Sequence, residues 1–124
     1  MDTEHLNDLL DTWEGNYKKG LLTFWLLLIL HEREAYAFEM SDLIQEVSNK
    51  TIQADEKSVY RALNRFEKLG LVGSSWRNSD VGPPRRYYCL SRNGSLLLQS
   101  FIRRNILLFQ DADIQDRIQK VLKD

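Results

Sequence analysis

From Asp55 to Gly70 the apolar residues fall at Val59, Ala62, Leu63, Phe66 and Leu69, the i, i+3, i+4, i+7, i+10 spacing of a helix with one core-facing stripe. Asp55 can accept orphan N–H groups as an N-cap, and Gly70 suits a left-handed stop, so the spacing predicts a helix over 55–69. Directly after Gly70 the period changes. Leu71, Val72 and Trp76, then Tyr87, Tyr88, Cys89 and Leu90, are strand formers separated by Asn78, Ser79, Asp80, Gly82, Pro83 and Pro84, a cluster that breaks helix and strand alike. A chain that switches period within one turn is committed to a helix running straight into an antiparallel pair, here joined by a loop of roughly eight residues.

Charge follows the same boundaries. Across residues 57–92, eight cations face only Glu67 and Asp80, a net of +6 in a chain whose total is −1. Residues 1–19 carry −3, residues 20–56 carry −5 and residues 93–124 carry +1. What a polyanion senses is the field over one face, screened beyond about 8 Å at physiological salt, so this segregation matters more than the total. Projected on a helix, Lys57, Arg61, Asn64 and Lys68 centre opposite the apolar stripe, with Ser58, Tyr60 and Arg65 at its flanks. Arginine pairs with guanine and asparagine with adenine, while lysine or a tyrosine hydroxyl holds phosphate. The expected DNA-contacting residues are therefore Lys57, Ser58, Tyr60, Arg61, Asn64 and Arg65 on the helix, with Arg77, Arg85 and Arg86 bracketing the hairpin loop. Asp55 and Glu56 stand at the leading end of that helix and oppose phosphate there.

Upstream, Leu21 to Leu30 is a nearly unbroken apolar run of ten residues, half the ~20 needed to span a bilayer, and reads as a buried helix. Met40, Leu43, Ile44 and Val47 repeat the helical stripe over 38–47, and residues 48–54 form the turn into the basic helix. Helix, helix, turn, basic helix, hairpin is the order of a winged helix-turn-helix domain.

The run SVYRALNRFEKLGLV, followed by GPPRRYYCLSRNG, resembles the PadR family of winged-helix transcriptional regulators. The resemblance rests on Tyr60, Leu63, Phe66, Glu67, Gly70, Leu71, Gly82, Arg85, Arg86, Tyr87, Tyr88, Leu90, Ser91 and Gly94, and it covers residues 20–94. Where the family carries His-Gly-Tyr-Glu, this chain has Tyr36, Ala37, Phe38 and Glu39, a loss of glycine expected to restrict the turn. The resemblance implies a homodimeric repressor on a palindromic operator, released in some members by small phenolic or drug-like ligands. Relatives that bind flat aromatic compounds use tryptophans of the C-terminal helix; here the tryptophans are Trp13, Trp25 and Trp76. For a small aromatic effector, Trp13, Phe101 and Phe109 are the residues expected to line an interface pocket.

Both ends of the chain carry association signals of their own. Leu6, Leu9, Leu10 and Trp13 form an N-terminal stripe. Leu98, Ile102, Ile106 and Phe109 form one face of a later helix, and Leu97, Phe101 and Leu108 another, so that one face can cover its own domain while the other needs a partner. The expected dimerisation residues are Leu6, Leu10, Trp13, Leu98, Phe101, Ile102, Ile106 and Phe109. After a break at 111–113, Ile114, Ile118, Val121 and Leu122 give a further amphipathic stretch.

The expected fold is mainly α with a small β-hairpin wing. Residues 1–19 form an N-terminal helical arm, 20–94 the winged helix-turn-helix domain, and 95–124 the C-terminal dimerisation helices. At 124 residues, 43% hydrophobic and 28% charged, the composition fits one compact domain with helical arms. The acidic N-terminus shows no signal-peptide pattern, and the single cysteine, Cys89, excludes an internal disulfide and is expected as a small buried group, all pointing to a cytoplasmic protein. His5 and His31 lack partners at metal-ligand spacing, and no Gly-rich phosphate loop is present, so neither an enzyme, a metal site nor a cofactor is expected. The competing reading is a winged-helix protein–protein module whose basic wing meets an acidic partner. Duplex DNA and a second copy of the chain are the partners expected.

Overall fold

The computed structural model describes residues 2–124. Helix α1 (Thr3–Gly20) runs into α2 (Leu22–Glu32), with Leu21 still in right-handed helical backbone between them. A two-residue strand, β1 (Ala35–Tyr36), leads into α3 (Ala37–Val47) and then α4 (Glu56–Lys68). The wing is β2 (Val72–Arg77) and β3 (Arg85–Leu90), followed by α5 (Arg92–Phe101). A widened π turn (Ile102–Ile106) and a 3-10 turn (Leu107–Gln110) separate α5 from α6 (Ala112–Leu122).

The core forms where α2, α3, α4 and the sheet converge. Leu26, Leu27, Ile29 and Leu30 of α2 meet Met40 and Ile44 of α3, the α4 stripe Val59, Ala62, Leu63 and Phe66, and Tyr88 of the wing. Fully burying a side chain such as Phe66 stabilises by about 1.5–3 kcal/mol before entropy is counted. The 55–69 stripe is buried as its spacing predicts except for Leu69, which is exposed as the helix ends. Asp55 caps α4 by accepting from the Ser58 N–H at 2.7 Å, and Gly70 stops it with φ +77°.

The turn between α3 and α4 is held by Ser48, whose buried hydroxyl accepts from the Ile52 N–H at 3.0 Å, while Asn49 and Lys50 take left-handed backbone. At the start of α3, Tyr36 is extended (φ −106°, ψ 160°) and its N–H bonds to Glu39 Oε1 at 3.3 Å. Helix begins at Ala37, so no position there calls for the glycine, and alanine fits without strain.

The sheet has three strands in the order β1-β3-β2, all antiparallel, where the sequence indicated only a hairpin. Ala35 pairs with Tyr88 and Tyr36 with Tyr87; Val72 pairs with Leu90 and Arg77 with Arg85. Alternation puts Tyr88 in the core and turns Cys89 outward. The expectation of a buried cysteine is thereby corrected.

The wing is fastened to α5 by one compact junction. The Ser91 N–H donates to Leu71 O at 3.0 Å, its hydroxyl donates to Gly70 O at 2.7 Å, and the same hydroxyl accepts from the Gly94 N–H at 3.0 Å. A Cβ on Gly94 would lie 2.1 Å from Leu71 O, which accounts for the glycine. Leu98 is only 4% exposed and belongs to this domain's core, with Ile102 half-buried against it. Both were expected at a dimer interface; packing of α5 against α2 assigns that face to the monomer instead. The boundary expected between 94 and 95 thus cuts through a continuous helix.

Candidate nucleic-acid interface

The outward face of α4 carries Lys57, Arg61, Asn64 and Arg65, with Lys68 in the last turn. Lys57, Arg61, Arg65 and Lys68 are exposed, and among the described residues none forms an ion pair. Arg65 lies 5.4 Å from the Phe66 ring centroid, its charge still open to solvent. Ser58 is half-buried and occupied with the cap, and Asn64 is half-buried on the flank. Tyr60 is exposed and turned toward the wing.

The acidic leading end is managed locally. The Ser58 N–H holds the Asp55 carboxyl below its ordinary pKa of 3.8, helped by the Ser58 hydroxyl and by the charges of Arg61 and Lys57. Its negative charge is thus directed at orphan N–H groups of the first turn and the positive end of the helix. Glu56 has no such partner among the described residues.

The wing arginines divide into two kinds. Arg77 pairs with Glu34 and lies 4.6 Å from the Tyr87 ring centroid. Arg86 is half-buried and pairs with Glu67, while its Nε donates to Ser74 Oγ at 3.0 Å. Arg85 alone of the three has no carboxylate partner among the described residues; its guanidinium sits 4.7 Å from the Tyr36 ring centroid. Tyr36 in turn meets Tyr87 edge to face at 5.3 Å. The expected site therefore comes together on α4, with Arg85 open beside it and Arg77 and Arg86 held by internal pairs.

Between α4 and the wing runs a groove of about 450 Å³, lined by Phe38 of α3, Glu56 and Tyr60 of α4, and Trp76, Arg85 and Tyr88 of the wing. Phe38 and Trp76 are 62% and 69% exposed. Neither was singled out as a contact residue from sequence. The available signal was strand alternation, which places Trp76 in step with the inward Val72 and Ser74 but beyond the core. Desolvation raises the Tyr88 hydroxyl pKa above its ordinary 10.0, opposed by the charge of Arg86, and that hydroxyl has no hydrogen-bond partner among the described residues.

On α1 the stripe is exposed at Leu6, Leu9, Leu10, Trp13 and Tyr17, Trp13 by 75%. Phe109 reaches this helix and closes a 370 Å³ apolar groove with Leu10, Trp13, Glu14 and Tyr17. Phe101 is not part of it, since its ring packs 5.9 Å from that of Phe24. Ile106 is half-buried on the π turn.

Residues 26–100, from the middle of α2 to the end of α5, match the transcriptional regulator PadR-like family. The chain belongs to that family. Solved PadR-like structures share its fold: a PadR family regulator from Eggerthella lenta is 22% identical, with a TM-score of 0.73 and 97% of each chain covered. A PadR-like transcription factor from Bacteroides fragilis is 27% identical over 80% of this chain and 93% of that one, with a TM-score of 0.65. PadR from Bacillus subtilis, solved in complex with operator DNA, is 16% identical, with a TM-score of 0.61 over 66% of this chain and 46% of that one. In this PadR-like chain no described helix is long and apolar enough to cross a membrane, and no described cluster of His, Cys, Asp and Glu could hold a metal ion.

Proposed function

We propose that this PadR-like regulator binds duplex DNA sequence-specifically and acts as a homodimeric repressor on a palindromic operator. Helix α4 enters the major groove, and the 77–86 wing lies on the backbone or in the minor groove. The observation that carries this reading is the outward face of α4, where Lys57, Arg61 and Arg65 stand exposed and, among the described residues, unpaired, opposite the buried Val59, Ala62, Leu63 and Phe66. A helix so divided presents hydrogen-bond donors to base edges while its other face anchors it. Family membership supports the regulatory role, and the operator complex of the Bacillus subtilis relative supports the DNA partner.

In this reading α1 and the exposed side chains around Phe109 form the dimer contact, and a small aromatic effector occupies the groove of Trp13, Tyr17 and Phe109. Residues 20–94 act as the reading unit and the flanking helices as the association unit, in the cytoplasm. Two-fold symmetry then requires inverted half-sites about one helical turn, roughly 34 Å, apart.

The test is titration of the purified protein against duplexes selected from a random pool, followed by anisotropy over a range of salt. The expected result is one enriched inverted repeat whose log affinity falls linearly with log salt. Failure to retain any duplex at low salt, with capture of acidic proteins instead, would replace DNA binding with the protein–protein role.

A further inference from the structure

The groove between α4 and the wing combines features that solvation alone does not explain. Phe38, Tyr60 and Trp76 expose aromatic surface around it, all three from different elements. Arg85, at the loop end of the central strand β3, brings a cation with no carboxylate partner among the described residues to the same lining. Tyr88 is buried beneath, with its hydroxyl unpartnered. The groove adjoins the cationic face of α4, because Tyr60 lies three residues after the exposed Lys57, which is itself one helical turn before Arg61.

Resting on the DNA-binding reading, we infer that this groove seats one sugar–phosphate strand of the duplex through apolar contact as well as charge. With α4 in one groove and the wing beyond it, the intervening strand must cross the space between them, where these aromatic side chains stand. Deoxyribose is apolar along its carbon edge, so Phe38 and Trp76 pack against sugars while Arg85 takes a phosphate. Glu56 lines the same groove and disfavours phosphate at its own end, which leaves the Arg85 end for the anion. The occupant is thus polyanionic with apolar edges, matching a mixed lining that neither a simple anion nor an apolar peptide matches.

This contact has a signature that arginine and lysine contacts lack. Removing a cation lowers the slope of log affinity against log salt, whereas removing an apolar contact weakens binding at every salt concentration and leaves the slope unchanged. The experiment compares Phe38→Ala, Trp76→Ala and wild type on the selected duplex and on a scrambled one, across salt. Each variant is expected to bind both duplexes about tenfold more weakly, with the wild-type slope. Both side chains are exposed, and an unchanged thermal midpoint verifies the fold. As a second readout, the emission that Trp76→Ala removes from the wild-type spectrum reports the exposed Trp76 indole, and in the wild type duplex should shield that share from acrylamide. Wild-type affinity in both variants, or an indole equally quenched with and without DNA, overturns the inference while leaving DNA binding intact. If the wild type itself ignores duplex DNA, the functional reading fails first.

Discussion

Arg86 on β3 lies against Glu67 on α4, and Ser74 on β2 joins the pair, donating from its hydroxyl to the carboxylate and accepting from the Arg86 Nε. Three elements are thereby tied at one point, which sets the angle between the wing and the reading helix.

Arg86 therefore serves geometry more than phosphate attraction. Arg86→Met and Glu67→Gln should each destabilise the fold by about 1–2 kcal/mol, the partial exposure of both side chains screening the pair. The double variant should lose less than the sum of the two. Urea unfolding of the four proteins supplies the cycle. In DNA titrations Arg86→Met should keep the wild-type salt slope; a slope lowered by about one would show that the guanidinium neutralises a phosphate after all.

On α4 the unpaired cations divide by depth. Arg61 stands in the second turn, where a recognition helix reaches base edges, and Lys68 in the last turn, nearer the backbone. Arg61→Ala should cost about 1–3 kcal/mol on the preferred duplex and relax its sequence preference, whereas Lys68→Ala should weaken all duplexes alike. Competition between selected and scrambled duplexes separates the two effects. Equal losses on both duplexes for Arg61→Ala would remove it from base reading.

Helix α4 was legible because its signals are local: a 3.6-residue stripe, an Asp55 cap and a Gly70 stop lie within sixteen residues. Strand β1 was not, because two residues cannot display a period, and it exists only through pairing with β3 more than fifty residues later. The cationic face of α4 could be read by projection, but the loss of free charge at Arg77 and Arg86 depends on Glu34 and Glu67, which only the fold brings near. The C-terminal stripes posed the same problem. Sequence showed two apolar faces on one helix, and only packing against α2 decided that Leu98 turns inward.

The cap at Asp55 makes stability depend on pH. Its folded pKa lies below 3.8, so the stabilisation is present above that ordinary value and is lost as pH falls through the depressed one. Thermal midpoints measured on acidification should fall less steeply for Asp55→Asn, whose amide oxygen still accepts from Ser58 and does not titrate in this range. Identical acid profiles in the two proteins would assign the effect to other carboxylates. Asp55→Ala should lower the midpoint at neutral pH as well.

Gly94 is fixed by sterics, since any Cβ meets Leu71 O, a backbone atom already engaged by the Ser91 N–H. Gly94→Ala should cost about 2–4 kcal/mol as the wing and α5 are pushed apart. Gly70→Ala, which finds open space but must keep φ at +77°, should cost less, about 1–2 kcal/mol. Chemical denaturation ranks them. A smaller loss at Gly94 than at Gly70 would mean that the Leu71 carbonyl yields readily.

Association and folding should separate on the two apolar faces. Trp13 is mostly exposed on α1 and Leu98 is buried against α2. If α1 forms the dimer contact, Trp13→Lys should raise the dimer dissociation constant about thirtyfold or more while leaving the monomer's melting intact. Leu98→Ala should do the reverse, lowering stability by about 2–5 kcal/mol through the cavity it leaves, with association of the remaining folded protein unaffected. Sedimentation equilibrium beside thermal melting reads both quantities. Because a palindromic site rewards two linked reading helices, Trp13→Lys should also weaken the inverted repeat far more than a single half-site. Equal weakening of both would place the dimer contact elsewhere than α1.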